Sequence, residues 1–202
     1  MMKNRLVLAS RSPRRAELLS QLGFDFDVIP SRVEEESDQN EVPQERVIRL
    51  AEVKAADVGG QYPSQWVIAA DTVVFIDGSI LGKPKDSQEA LDMLNRLSGR
   101  EHSVLSGFAV RHFEKDKGAH QAVETAVKMK PLTTAEMKWY VNTGEPFDKA
   151  GGYAIQGIGS FMIESIRGSY TNVVGLPLCE LVEALNTLGA ITVSDRGFRI
   201  AD

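Results

Sequence analysis

The sequence predicts an α/β domain with a mixed sheet. Segments with apolar residues at helical spacing alternate along the whole chain with segments of strand-like alternation, the pattern of interleaved helices and strands. The 202 residues are 43% hydrophobic and 25% charged, enough apolar material to bury one sizeable core without covalent staples. No internal repeat and no low-complexity linker interrupts the pattern, so a single domain spanning residues 1–202 is expected.

Leu6 to Ala9 reads as a short buried strand running into Ser10-Arg11-Ser12-Pro13-Arg14-Arg15. Ser12 suits an N-cap and Pro13 the first helical position; Leu18, Leu19 and Leu22 recur at helical spacing until Gly23 closes the helix. Phe24, Phe26 and Val28 alternate with aspartates as in a strand. Val33 to Pro43 is acidic and polar and is expected as a loop. Val47, Leu50, Ala51 and Ala55 restore helical spacing. Trp66 to Ile76 is a long β-like run, and Asp77-Gly78 is a hairpin signal. A helix over Ser87–Leu97 ends at Ser98-Gly99, and strands over His102–Phe113 and Gln121–Met129 pair around a polar turn. Thr133 and Glu136 form a capping box for a helix stopping near Gly144. Phe147–Gly168 reads as glycine-rich and β-like, and Pro177 opens a last helix through Leu188.

Composition narrows the chemistry. The 23 basic and 28 acidic residues leave a net charge of −5, against a broad basic footprint for duplex nucleic acid. With only 7% aromatic residues, an RNA-binding module is also disfavoured. The single cysteine, Cys179, excludes an internal disulfide and is expected buried on its helix; with three histidines lacking ligand spacing, it offers no zinc site. No apolar run approaches a membrane span, and Leu6–Ala9 is too short for a signal peptide. The cytoplasm is the expected compartment. Catalysis must then rest on carboxylates, Lys/Arg and hydroxyls.

The Ser10–Arg15 run lies at a strand-to-helix junction, where backbone N–H groups, the Ser10 and Ser12 hydroxyls and the Arg14 and Arg15 guanidiniums suit a phosphate. Taken alone, it also reads as a capped helix with solvated arginines. Asp71 stands among apolar residues on both sides, where a carboxylate needs a cation or a proton-transfer role; the alternative is a turn or edge-strand aspartate. Lys83, in Gly82-Lys83-Pro84, follows the hairpin and is either a phosphate contact or a loop lysine. Glu34-Glu35-Glu36 and Lys54 read as solvated on their own. In Asp148-Lys149-Ala150-Gly151-Gly152-Tyr153-Ala154-Ile155-Gln156-Gly157, the glycines permit close backbone approach, Tyr153 could pack on a base, and the Gln156 amide could read a pyrimidine edge. Tyr170 and Asn172 could line the same site or serve to cap the following helix. His102 is expected to be structural.

Read together, Leu8–Arg15, Ala70-Asp71-Thr72-Val73-Val74, Gly82-Lys83-Pro84, Leu97-Ser98-Gly99 with His102, Asp148–Tyr153 and Val174-Gly175-Leu176-Pro177-Leu178 resemble the Maf family of nucleoside-triphosphate pyrophosphatases, in family order from residue 6 to about residue 188. Any one piece is weak; the ordered set is specific. The resemblance implies an elongated mixed-sheet α/β domain with a central cleft, related to inosine-triphosphate pyrophosphatase. It implies hydrolysis of a nucleoside triphosphate to monophosphate and diphosphate with Mg²⁺ or Mn²⁺. Asp71 and Glu35 fall on the family's catalytic and metal-binding acids. Arg14, Arg15, Lys54 and Lys83 fall on its phosphate-binding positions, with Ser10 and Ser12 in the same cradle. Arg14, Thr72 and Gln156 fall on its specificity positions. The Tyr153–Gly157 sequence resembles the dTTP/UTP branch rather than the 7-methyl-GTP branch, although the same chemistry on a modified purine stays open. A non-catalytic nucleotide-binding regulator of cell division is the other open alternative. Whether Asp71 serves as base or as metal ligand is not separated, and a homodimer is the assembly the resemblance suggests.

Overall fold

The structure is a computed structural model that describes residues 6–33, 41–194 and 197–201. It is a mixed α/β protein, as the interleaved patterning predicts. Its elements are β1 (Leu6–Leu8), α1 (Pro13–Gln21), β2 (Phe26–Val28), α2 (Pro43–Gly59), β3 (Trp66–Ile76), β4 (Ser79–Leu81), α3 (Ser87–Leu97), β5 (Glu101–His112), β6 (Lys117–Met129), α4 (Thr134–Asn142), β7 (Ile163–Arg167), α5 (Tyr170–Val174), α6 (Leu178–Thr187), β8 (Ile191–Ser194) and β9 (Gly197–Ile200). The main sheet runs β2-β1-β3-β5-β6-β7, with β4 on β3. β1 is parallel to β2 and to β3, pairing Leu6 with Phe26 and with Trp66. β3·β4 and β6·β7 are antiparallel. No helix among the described residues is long and apolar enough to cross a membrane.

The chain divides into two compact units: Met1–Asp71 with Ser106–Ala122 and Gly175–Asp202, and Thr72–Leu105 with Val123–Val174. The first unit is built on short side chains. Ala51 and Ala55 of α2 pack with Ala9, Ala69 and Ala109 around Val7, Val58 and Val67. At Gly107 of β5, an added Cβ would stand 2.4 Å from the Val47 carbonyl carbon. Only glycine lets α2 lie this near the strand. The second unit has a bulkier core, with Leu94, Leu97, Met129, Tyr140 and Met162 almost fully buried.

Several local signals act as their chemistry predicts. Pro13 and Pro43 open α1 and α2, so Pro43 belongs to the helix rather than to the acidic loop before it. Asp77 and Gly78 both adopt positive φ, 51° and 71°, giving the primed turn that joins β3 to β4. Thr133 and Glu136 form the complete capping box. Two of these local expectations fail. Residues 145–162 form three 3₁₀ turns (Glu145–Asp148, Ala150–Gly152 and Gly157–Met162), and only Ile163–Arg167 is strand. Positive φ at Gly151, Gly152 and Gly157 breaks the extended run that the alternating apolar residues suggest. Cys179 is exposed on α6 rather than buried, because Leu181 and Leu185 form that helix's inward face. The β8–β9 hairpin is not anticipated by the sequence reading.

Candidate active site

In the first unit, β1 delivers the chain directly to the N-terminus of α1. Ser12 occupies the N-cap, yet its hydroxyl makes no capping bond, contrary to its expected role. The Ser12 amide instead donates to Ser10 Oγ at 3.2 Å. No acidic residue stands in the first turn of α1. The positive end of the helix dipole thus meets two serine hydroxyls and Arg14, a setting suited to an anion. Ser10 is 6% exposed, so a ligand reaching it would be largely withdrawn from bulk water.

Arg15 binds this junction together. Its Nε donates to the Gly175 carbonyl at 2.7 Å, and its Nη1 donates to the Ala70 carbonyl at 2.7 Å and to Ser10 Oγ at 3.2 Å. One guanidinium therefore ties Ser10 to the residue before Asp71 and to the residue before α6's lead-in. The planar fork of arginine can serve both carbonyls; lysine cannot.

Asp71 is 5% exposed, and Lys54 of α2 is 7% exposed. Lys54 Nζ donates to Asp71 Oδ1 at 2.7 Å. Two ions this deep are tolerable only as a pair. The burial of Lys54 is the largest departure from the solvated reading of that residue. The signal was present: residue 54 lies four after Leu50 and seven after Val47, on the apolar stripe of α2.

The second unit carries the other predicted positions. Thr72 is half-buried on β3, and Lys83 is exposed after β4. The Gly151 amide donates to the Gly82 carbonyl at 2.9 Å, joining the lysine loop to the glycine segment. Gly151 itself has φ 70°, and a Cβ there would stand 2.8 Å from Val74 Cγ2. Gln156 is half-buried, and among the described residues its side-chain amide makes no hydrogen bond. Tyr153 is not placed to stack on a base: it is 5% exposed, and its hydroxyl lies 2.6 Å from His102 Nε2. Burial lowers the His102 pKa to about 4 and pushes the Tyr153 hydroxyl upward, so both are neutral at pH 7. Asn172 is fully buried, donating to the Val104 carbonyl and to Thr125 Oγ1, whereas Tyr170 is exposed. Glu35, the second expected acid, lies outside the described residues.

A model of the Maf-like protein family matches residues 5–188. The chain belongs to the Maf family. Curated relatives extend the match across nearly its whole length. A dTTP/UTP pyrophosphatase of Syntrophus aciditrophicus is 52% identical, covering 98% of each chain. One of Syntrophotalea carbinolica is 53% identical over 95% of this chain and 89% of its own. One of Geotalea uraniireducens is 51% identical over 94% and 97%.

A divalent cation is the cofactor implied for a Maf protein of this kind, and Asp71 has the donor chemistry for one. Its Oδ1 is held by Lys54, and among the described residues the carboxylate has no other partner. A second hard oxygen remains, of the type Mg²⁺ takes together with substrate phosphates. No group of three or more His, Cys, Asp or Glu side chains gathers among the described residues.

Proposed function

We propose that this Maf protein hydrolyses dTTP and UTP to the nucleoside monophosphate and diphosphate, removing such nucleotides from the cellular pool. The curated relatives named above support the substrate class. The observation that carries the chemistry is the buried Asp71, held by Lys54 and linked through Arg15 to the Ser10–Arg14 junction within one compact unit.

The reaction is attack of water oxygen on the α-phosphorus with cleavage of the Pα–O–Pβ bridge. The bridging electron pair leaves with diphosphate, and the water's proton passes to a base. Lys54 donates to Asp71 Oδ1 and orients the carboxylate, leaving its second oxygen to hold a cation or accept that proton. Asp71, with Glu35 as the second acid, would hold a Mg²⁺ or Mn²⁺ ion, whose contribution when bound would be to polarise the phosphate oxygens. Ser10, Ser12, Arg14 and the α1 amides receive phosphate oxygens. Arg15 supports them by fixing Ser10 and Ala70. Lys54 and Lys83 add positive charge where it accumulates on the leaving diphosphate, usually a large share of phosphoryl-transfer catalysis. Arg14, Thr72 and Gln156 select the base, with the Gln156 amide offering both a donor and an acceptor to a pyrimidine edge.

The test is a panel of dTTP, UTP, dGTP and 7-methyl-GTP, each with Mg²⁺, with Mn²⁺ and with chelator, with products separated by chromatography. Monophosphate plus diphosphate from dTTP and UTP, abolished by chelator, is expected. A nucleoside diphosphate with orthophosphate would instead place cleavage at the γ-phosphorus. Nucleotide binding without any product would make the chain a regulator rather than an enzyme.

A further inference from the structure

We propose that Glu145 is a positioning residue for base selection, clamping the backbone on which Gln156 stands. Gly144, at φ 79°, turns the chain out of α4 and sets Glu145 at the head of the first 3₁₀ turn. From there the carboxylate reaches across to the third. Its Oε1 accepts the Ile158 amide at 3.0 Å, and its Oε2 accepts the Gly159 amide at 2.8 Å. These amides open the turn Gly157–Met162, for which Gln156 is the N-cap at φ −103° and ψ 164°. One side chain therefore holds the two residues that follow the Gln156–Gly157 step.

The fit is tight. Gly157 has φ 69°, and a Cβ there would lie 2.3 Å from Glu145 Oε1. Residues 145 and 157 are thus matched, a carboxylate on one side and the absence of a side chain on the other. Lys149 braces the clamp by donating from Nζ to the Glu145 carbonyl at 2.7 Å. Burial works against charge on Glu145, but Tyr140, the Gly159 and Ile158 amides and Lys149 outweigh it and hold its carboxyl below the usual range. Ionised, it has an oxygen for each amide, and such charge-assisted bonds are the strong kind. A glutamine offers a single carbonyl oxygen and turns an NH₂ toward the remaining N–H, leaving one donor unsatisfied.

The inference rests on the reading of Gln156 as the base-selecting residue, and its test separates the two. The kcat and KM for dTTP, UTP and dGTP are measured with Mg²⁺ on the full chain, on Glu145→Gln, on Gln156→Ala and on the double variant. Glu145→Gln is expected to lower the pyrimidine-over-purine kcat/KM ratio about tenfold, the scale of one unsatisfied donor. The loss is expected in KM for dTTP and UTP, with kcat little changed. In the Gln156→Ala background, Glu145→Gln is expected to change the ratio no further. A Glu145→Gln protein with the native ratio, or with the same loss on all three substrates, overturns the proposal. If Gln156→Ala keeps the native ratio, the base-reading role of Gln156 fails and the proposal with it. A shifted ratio in Gln156→Ala alone defeats only the role of Glu145. Amide exchange on the unaltered chain needs no variant to fold: Ile158 and Gly159 are expected to be protected, and rapid exchange at both overturns the clamp.

Discussion

Replacing Lys54 by methionine would leave Asp71 a buried carboxylate without its counter-charge. The Lys54 Nζ–Asp71 Oδ1 distance is 2.7 Å, with both residues less than a tenth exposed. Removing one partner of such a pair costs about 3–5 kcal/mol, and the slight exposure here argues for about 3. For a chain of this length that corresponds to a fall in Tm of about 6–12 °C. Asp71→Asn should cost somewhat less, because the amide oxygen still accepts from Lys54. The double variant Lys54→Met/Asp71→Asn carries neither charge. Its remaining cost is one poorly satisfied buried amide, about 1–3 kcal/mol. Urea unfolding followed through the fluorescence of Trp66 and Trp139 reads all four proteins. The double variant should be more stable than the sum of the single losses predicts by at least about 2 kcal/mol, while remaining inactive. Additivity within about 0.5 kcal/mol would refute the coupling and with it the assignment of Lys54 as the group that holds Asp71 in place.

Two further outcomes follow from the geometry. Arg15→Lys cannot serve the Ala70 and Gly175 carbonyls together, so it should cost about 1–3 kcal/mol in urea unfolding; unchanged stability would show that the fork is dispensable. His102 titrates at about 4 in the folded chain against 6.5 for an unperturbed histidine. As pH falls below 6.5, the unfolded state takes up the proton first, so stability is lost between pH 6.5 and 4. The loss attributable to His102 is about 3 kcal/mol, and His102→Asn should lack that part of the pH dependence; parallel stability–pH curves for the two proteins would contradict it.

The signals legible in the sequence are those whose physics is local. A proline at the first helical position, two consecutive positive-φ residues in a hairpin and a threonine three residues before a glutamate each act within one turn of chain, and each stands where expected. Asp71 was marked by its apolar flanks, because burial follows from neighbours along a strand. Lys54 shows the limit. Its position on the α2 stripe foretells burial, but its partner is 17 residues away, and only the packing of helix on sheet brings them together. Arg15 is a stronger case, since its carbonyl partners lie 55 and 160 residues along the chain. From Phe147 to Gly168 the apolar alternation suggests a strand, but positive-φ glycines impose 3₁₀ turns there. Tyr153 is similar: an aromatic beside glycines suggests a base contact, but His102 holds its hydroxyl inside the second unit.

The carboxylate at position 71 carries the proposed chemistry. Release of diphosphate from dTTP with Mg²⁺ should be measured for Asp71→Asn after its folding is confirmed by circular dichroism. Loss of a general base or charge-stabilising group predicts a rate lower by about 10²–10⁴-fold, with the nucleotide still bound. Diphosphate release at near the native rate from that folded variant would contradict it.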